Sequence, residues 1–250
     1  MKCPIWTLAL AAIIVGACSP QPIKSPEDSS LLVFGASGRI GGAIVTEALL
    51  RGYQVTGVTR ARSRLEGKFD AIKIIEGDIL DRARLAELIG EHDAVLVSVG
   101  GRPTSQDPAR YIAATAAQSL IDILEPMGDS GPRLLFVGNL YTLKNAQGVS
   151  LIDQGIADGH RNEAMFRGHQ IALERFRASQ HTRWTIATPP NGLRLSGRTG
   201  HLLWGEDTLL VDDSGTPLSI SPEDFAFAML EEFEAQRYEK KRFTVARDYQ

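Results

Sequence analysis

The chain has 250 residues, 43% of them apolar and 23% charged, and a formal net charge of -3. That length supports one sizeable core, and a mildly acidic balance with no long run of Lys or Arg excludes the electrostatic footprint nucleic acid requires. Both cysteines, Cys3 and Cys18, lie near the start, so disulfides and thiolate metal sites are excluded from the rest of the chain and no metal site is expected.

Taken in chain order, the first element is a leader: Lys2, then an uncharged run from Ile5 to Ala17. The run is shorter than the roughly 20 residues that span a bilayer and has the proportions of a signal peptide's central region. "VGAC", Val15 to Cys18, resembles the lipobox of bacterial lipoproteins, in which the cysteine is lipidated and begins the mature chain. The resemblance implies a signal peptide over 1–17, a lipid anchor at Cys18 and an exported, membrane-anchored protein. Ser19 resembles the residue that sorts such proteins to an outer membrane. The alternative is a cytoplasmic protein whose true start lies downstream. "SPQPIKSPEDSS" is rich in Pro and Ser without hydrophobic period and reads as a tether, giving a lipidated linker over 18–30 and a folded domain over 31–250.

From Leu31 onward, short apolar runs alternate with amphipathic stretches, the pattern of a parallel sheet covered by helices on both faces. The predicted strands are "LLVFG", "YQVTGVT", "AIKIIEG", "DAVLVSVG", "RLLFVG" and "RWTIATP", each rich in Val, Ile or Leu without strict alternation, as strands buried on both faces require. Helices are predicted near 39–51, 81–90, 107–125 and 161–179, with Asp81 as an N-cap. Residues 140–160 carry no clear period and read as a loop over the end of the sheet. In "SISPEDFAFAMLEEFE", Ser221, Pro222 and Asp224 form a capping box before an apolar stripe, and "RFTVA" closes the chain as a strand. The expected fold is a Rossmann-like, doubly wound α/β sheet with a small C-terminal region shaping a substrate pocket.

"GASGRIGG" sits between the first strand and the first helix, with Gly35, Gly38 and Gly41 spaced as GxxGxxG. Gly35 permits a tight turn, Gly38 lets a pyrophosphate approach the backbone, and Gly41 lets the helix pack against the strand. Ser37, Arg39 and Ile40 complete a phosphate-binding turn at a helix N-terminus. After the second strand an NAD binder would carry an acid for the ribose 2′-hydroxyl, but "GVTRARSR" offers Arg60, Arg62 and Arg64. A guanidinium suits a 2′-phosphate, so NADP is expected, led by Arg60, with NAD the alternative. Asp78 and Ile79 end the third strand and are placed at the adenine; Ser98, Val99 and Gly100 end the fourth.

At these residues the chain resembles the short-chain dehydrogenase/reductase superfamily in its atypical GxxGxxG branch, of the NmrA-like, NAD(P)H-binding kind. Within that branch it is similar to a group described as NADH-flavin reductases. The resemblance spans about Leu31 to Ala246 and includes "WTIATPP" and "SISPEDFA". It implies a nicotinamide cofactor, Pro189 and Pro190 beside the nicotinamide, and a small-molecule acceptor of flavin-like or quinone-like chemistry. The Tyr and Lys that act together in the main catalytic branch fall on Phe166 and Gln170, which cannot relay a proton. Proton donors are therefore sought elsewhere: Tyr141 first, then His169, with Asn139 and His160 as further candidates. The competing expectation is a non-catalytic NAD(P)-binding sensor or interaction protein tethered to a membrane.

Overall fold

The structure, a computed structural model, describes residues 25–249. The predicted leader and the lipidation site Cys18 lie outside them. A short 3-10 turn at Pro26–Asp28 is pinned where Gln54 Nε2 donates to the Glu27 carbonyl at 2.8 Å, and Ser30 already opens the first strand.

Six parallel strands follow the predicted runs: β1 (Ser30–Phe34), β2 (Gln54–Thr59), β3 (Lys73–Glu76), β4 (Ala94–Val97), β5 (Arg133–Val137) and β6 (Trp184–Thr188). The helices are α1 (Arg39–Leu50), α2 (Arg82–Gly90), α3 (Ile112–Leu124), α4 (Glu163–Ala178) and α5 (Pro222–Ala235). Two further strands complete the sheet, β7 (Leu202–Gly205) and β8 (Lys241–Arg247), in the order β3-β2-β1-β4-β5-β6-β8-β7. All neighbours run parallel except β7, which pairs antiparallel with β8. From β1 the chain winds outward to β2 and β3, then returns to place β4 on the other side of β1. A crevice opens beyond the carboxyl ends of strands at such a reversal.

Both faces of the sheet are covered, which is why its strands are apolar without alternation. Leu31 and Val33 join α1 and α5 on one face, while Leu32 and Phe34 join α2, α3 and α4 on the other. Helix α2 starts as predicted, with Asp81 accepting the Arg84 N–H at 3.2 Å. Helix α3 begins later than predicted, at Ile112, because Pro108–Arg110 form a separate 3-10 turn before it.

At α5 half of the expected capping box forms: Ser221 Oγ accepts the Asp224 N–H at 3.0 Å. The Asp224 carboxylate does not reach back to the cap. It accepts the Thr199 and Gly200 N–H groups at 2.6 and 3.0 Å and an Arg247 guanidinium at 2.7 Å, fastening the 191–201 segment and β8 to α5. Burial alone would raise its pKa, but these donors hold it below the ordinary carboxylate value.

Residues 140–160 contribute nothing to the lining of the crevice. Tyr141, Ile152, Ala157 and Phe166 gather into a satellite cluster, and Arg242 of β8 donates to the Thr142 carbonyl at 2.9 Å.

Candidate cofactor cleft

The crevice beyond β1 and β4 is a cleft of about 470 Å³ running from the ends of β2 and β3 across to α4. Its floor is the glycine turn. Gly35 adopts φ +78°, and a Cβ there would meet the Ser98 carbonyl oxygen at 2.1 Å, so only glycine fits between β1 and β4. A Cβ on Gly41 would stand 2.1 Å from the Gly35 carbonyl oxygen, so the start of α1 rests directly on the turn. Gly38 is less confined, with its nearest neighbour at 3.1 Å, and lines the open side. It is also the N-cap of α1 and offers no side-chain cap, which leaves the first N–H groups of the helix for a ligand. These features fit a dinucleotide pyrophosphate: a cradle that a Cβ would fill and uncapped donors at a helix start.

Of the predicted cofactor residues, Gly35, Ser37, Gly38, Arg39, Ile40, Arg60, Asp78, Ile79, Ser98, Val99 and Gly100 all line this one cleft. Gly41 packs behind it. Pro189 and Pro190 follow β6 without lining the cleft; Leu193, a few residues on, does.

The arginines divide by their partners. Arg62 pairs with Glu66 at 3.0 Å and donates to the Ile74 carbonyl at 2.9 Å. Arg39, Arg60 and Arg64 line the cleft, and among the described residues their guanidinium groups have no partner, although most other arginines of the fold are engaged. β2 itself ends on Thr59, 3.4 Å from Ser37 Oγ, and the carboxylate beside it, Glu76 of β3, accepts the Arg62 N–H at 3.1 Å.

At the far end the residues are different. His169 lines the cleft at 8% exposure, and burial pushes its pKa down to about 4, so the imidazole is neutral at physiological pH. Tyr111, which sequence reasoning missed, stands beside it with ring centroids 5.6 Å apart, and burial raises its pKa. Tyr141 is not among the lining residues: its ring stacks on Phe166 at 3.8 Å, in the satellite cluster. Asn139 caps its own turn by accepting the Tyr141 N–H at 3.0 Å, and His160 lies against Phe166 with centroids 5.2 Å apart. Phe166 is buried at 4% exposure, and neither it nor Gln170 lines the cleft.

A doubly wound sheet with its cleft at the strand-order reversal defines a dinucleotide-binding α/β protein. Comparison with known proteins narrows this: residues 35–235 match a family described as NAD(P)H-binding, and the chain belongs to that family. The uncharacterized protein YwnB of Bacillus subtilis is 30% identical over 217 residues, covering 85% of this chain and 96% of that one. Among solved structures, a Burkholderia pseudomallei protein named provisionally as exported is 28% identical with a TM-score of 0.69, over 87% of this chain and 99% of its own. A Streptococcus pneumoniae protein named provisionally as an NADH-flavin reductase shares the fold at 23% identity and a TM-score of 0.71, over 88% of this chain and 100% of its own.

Proposed function

We propose that this protein is an NADPH-dependent reductase of the atypical short-chain type, acting on a small flavin-like or quinone-like acceptor. The observation that carries the reading is the electrostatic division of one cleft: Arg39, Arg60 and Arg64, without partners among the described residues, at its nucleotide end, and uncharged His169 and Tyr111 at its other end. A ribose 2′-phosphate gains charge-assisted hydrogen bonds from such guanidinium groups, and NAD would leave them unused. When bound, NADPH supplies a hydride from its nicotinamide. The chain's own residues hold the pyrophosphate on the α1 start, bind the 2′-phosphate and orient the acceptor, which is most of what hydride transfer between two rings asks of a protein.

The test is NADPH oxidation with a panel of riboflavin, flavin mononucleotide and menadione. We expect turnover with at least one of them; NADPH binding without turnover on any would sink the reductase reading. It would favour the second reading, a non-catalytic NADP-binding sensor, for which Phe166 and Gln170 at the positions of the Tyr and Lys pair are the supporting observation.

We further propose export and lipid anchoring through Cys18. The likeness to the Burkholderia protein named as exported supports export, and the lipobox-like "VGAC" supports the anchor. Mass spectrometry of the mature N-terminus is expected to find an acylated Cys18; an unmodified chain beginning at Met1 would refute this.

A further inference from the structure

Tyr111 is fixed in the cleft by glycines at both ends of its side chain. A Cβ on Gly168 of α4 would meet the Tyr111 Cβ at 2.6 Å and the Pro108 carbonyl oxygen at 3.0 Å, so α4 approaches this closely only because the residue is glycine. At the other end the Tyr111 hydroxyl donates to the Gly101 carbonyl at 3.2 Å, where Gly101 takes φ +137°. That bond is longer than the roughly 2.5–3.0 Å usual for a hydroxyl, and the phenol has a single proton, so Tyr111 donates to a ligand by turning that proton away from the exposed Gly101 carbonyl, which water then satisfies. His169, beside it, has its Nδ1 buried and without a partner among the described residues. Ile112, Val137, Met165 and Leu193 complete the wall.

Among the described residues no Asp, Glu, Lys or Arg lines this half of the cleft; Arg102, Arg110 and Arg194, its neighbours in the chain, are exposed and outside the lining. A carboxylate placed against this wall would be desolvated with no countercharge, at a cost of several kcal/mol. A polar but uncharged edge costs far less, because neutral donors satisfy it. We propose that this half of the cleft binds an uncharged, planar, conjugated ring by a carbonyl edge, which takes a hydrogen bond from the Tyr111 hydroxyl with His169 at its flank.

The chemical role of this site rests on the reductase reading. As the ring gains a hydride, negative charge collects on its carbonyl oxygen; Tyr111 gives its proton to that oxygen and recovers one from water. With a hydride that bound NADPH would supply and a solvent proton delivered through Tyr111, two electrons and two hydrogens are accounted for.

Binding is measurable apart from turnover. Riboflavin fluorescence is titrated against the purified protein, with and without saturating NADP⁺, for the wild type and for Tyr111→Phe, which keeps the ring and loses only the hydroxyl. We expect riboflavin to bind, Tyr111→Phe to weaken it about tenfold, the fold-change of one buried carbonyl left unpaired, and benzoate to leave it bound. Thermal unfolding checks that the variant is intact, with a midpoint within about 2 °C of wild type. Failure of riboflavin to bind, equal affinity in the variant, or displacement by benzoate would overturn the proposal. Riboflavin bound normally, with no NADPH oxidation on any acceptor of the panel, would instead sink the reductase reading and leave the ring-binding site standing.

Discussion

Arg60 and His169 face one cleft from opposite ends, and each makes a claim that can be isolated. Arg60 is exposed, lines the cleft and has no partner among the described residues, so its charge is available to a ligand. Arg60→Asp is expected to weaken NADPH by one to two orders of magnitude, since a charge-assisted contact of about 1.5–3 kcal/mol is lost and a repulsion added. NADH should be affected far less, and an equal loss for both nucleotides in a binding titration would refute the 2′-phosphate assignment. His169 acts through burial. Its folded pKa of about 4 lies below the unfolded value of 6.5, so only the unfolded chain binds the proton between those values. Stability from this residue is therefore full above pH 6.5 and is lost as pH falls toward 4, by about 3 kcal/mol in all. Tyr111, the titratable ring packed against it, stays uncharged throughout and does not alter the sign. Denaturant unfolding at a series of pH values should show the wild type losing that amount relative to His169→Gln; parallel curves would mean the imidazole is not held neutral.

At the scale of elements, the glycine turn divides folding from binding. Gly35→Ala puts a methyl 2.1 Å from the Ser98 carbonyl oxygen at a φ of +78°, and should cost about 2–4 kcal/mol of stability. Gly38→Ala meets only the Gly35 carbonyl, at 3.1 Å, and adds a methyl at a residue that lines the cleft. It should fold within about 1 kcal/mol of wild type and still lose most of its NADPH affinity. Calorimetric unfolding beside nucleotide titration would settle both, and a Gly38→Ala protein that binds normally would remove the turn from the account. The turn was legible in the sequence because its jobs are local: three glycines, a strand before and a helix after. β7 was not legible, since Leu202–Gly205 is a short antiparallel edge strand, half-exposed and without alternation. Tyr111 was invisible for another reason. Its place depends on Gly168, distant in sequence, letting α4 close on it. Tyr141 was favoured for lying just past β5, but the stacking partner that holds it, Phe166, comes from α4.

Across the whole molecule, the order of strands does what no single motif can. β1 lies between the two halves of the sheet, so the turn after it faces both the arginines beyond β2 and the uncharged wall beyond β5. The sequence carried this architecture in its alternation of apolar runs and helices, and eleven of the fourteen residues expected at the cofactor line a single cleft. The uncharged end was less readable, because it is assembled from segments after β4, β5 and β6 whose meeting is a tertiary event. The account stands on the claim that this cleft holds NADPH. Calorimetric titration of the purified protein with NADPH and, separately, NADH tests it most directly. One NADPH per chain, bound at least about tenfold more tightly than NADH, is the predicted result; no binding of either nucleotide, or equal affinity for both, would contradict it.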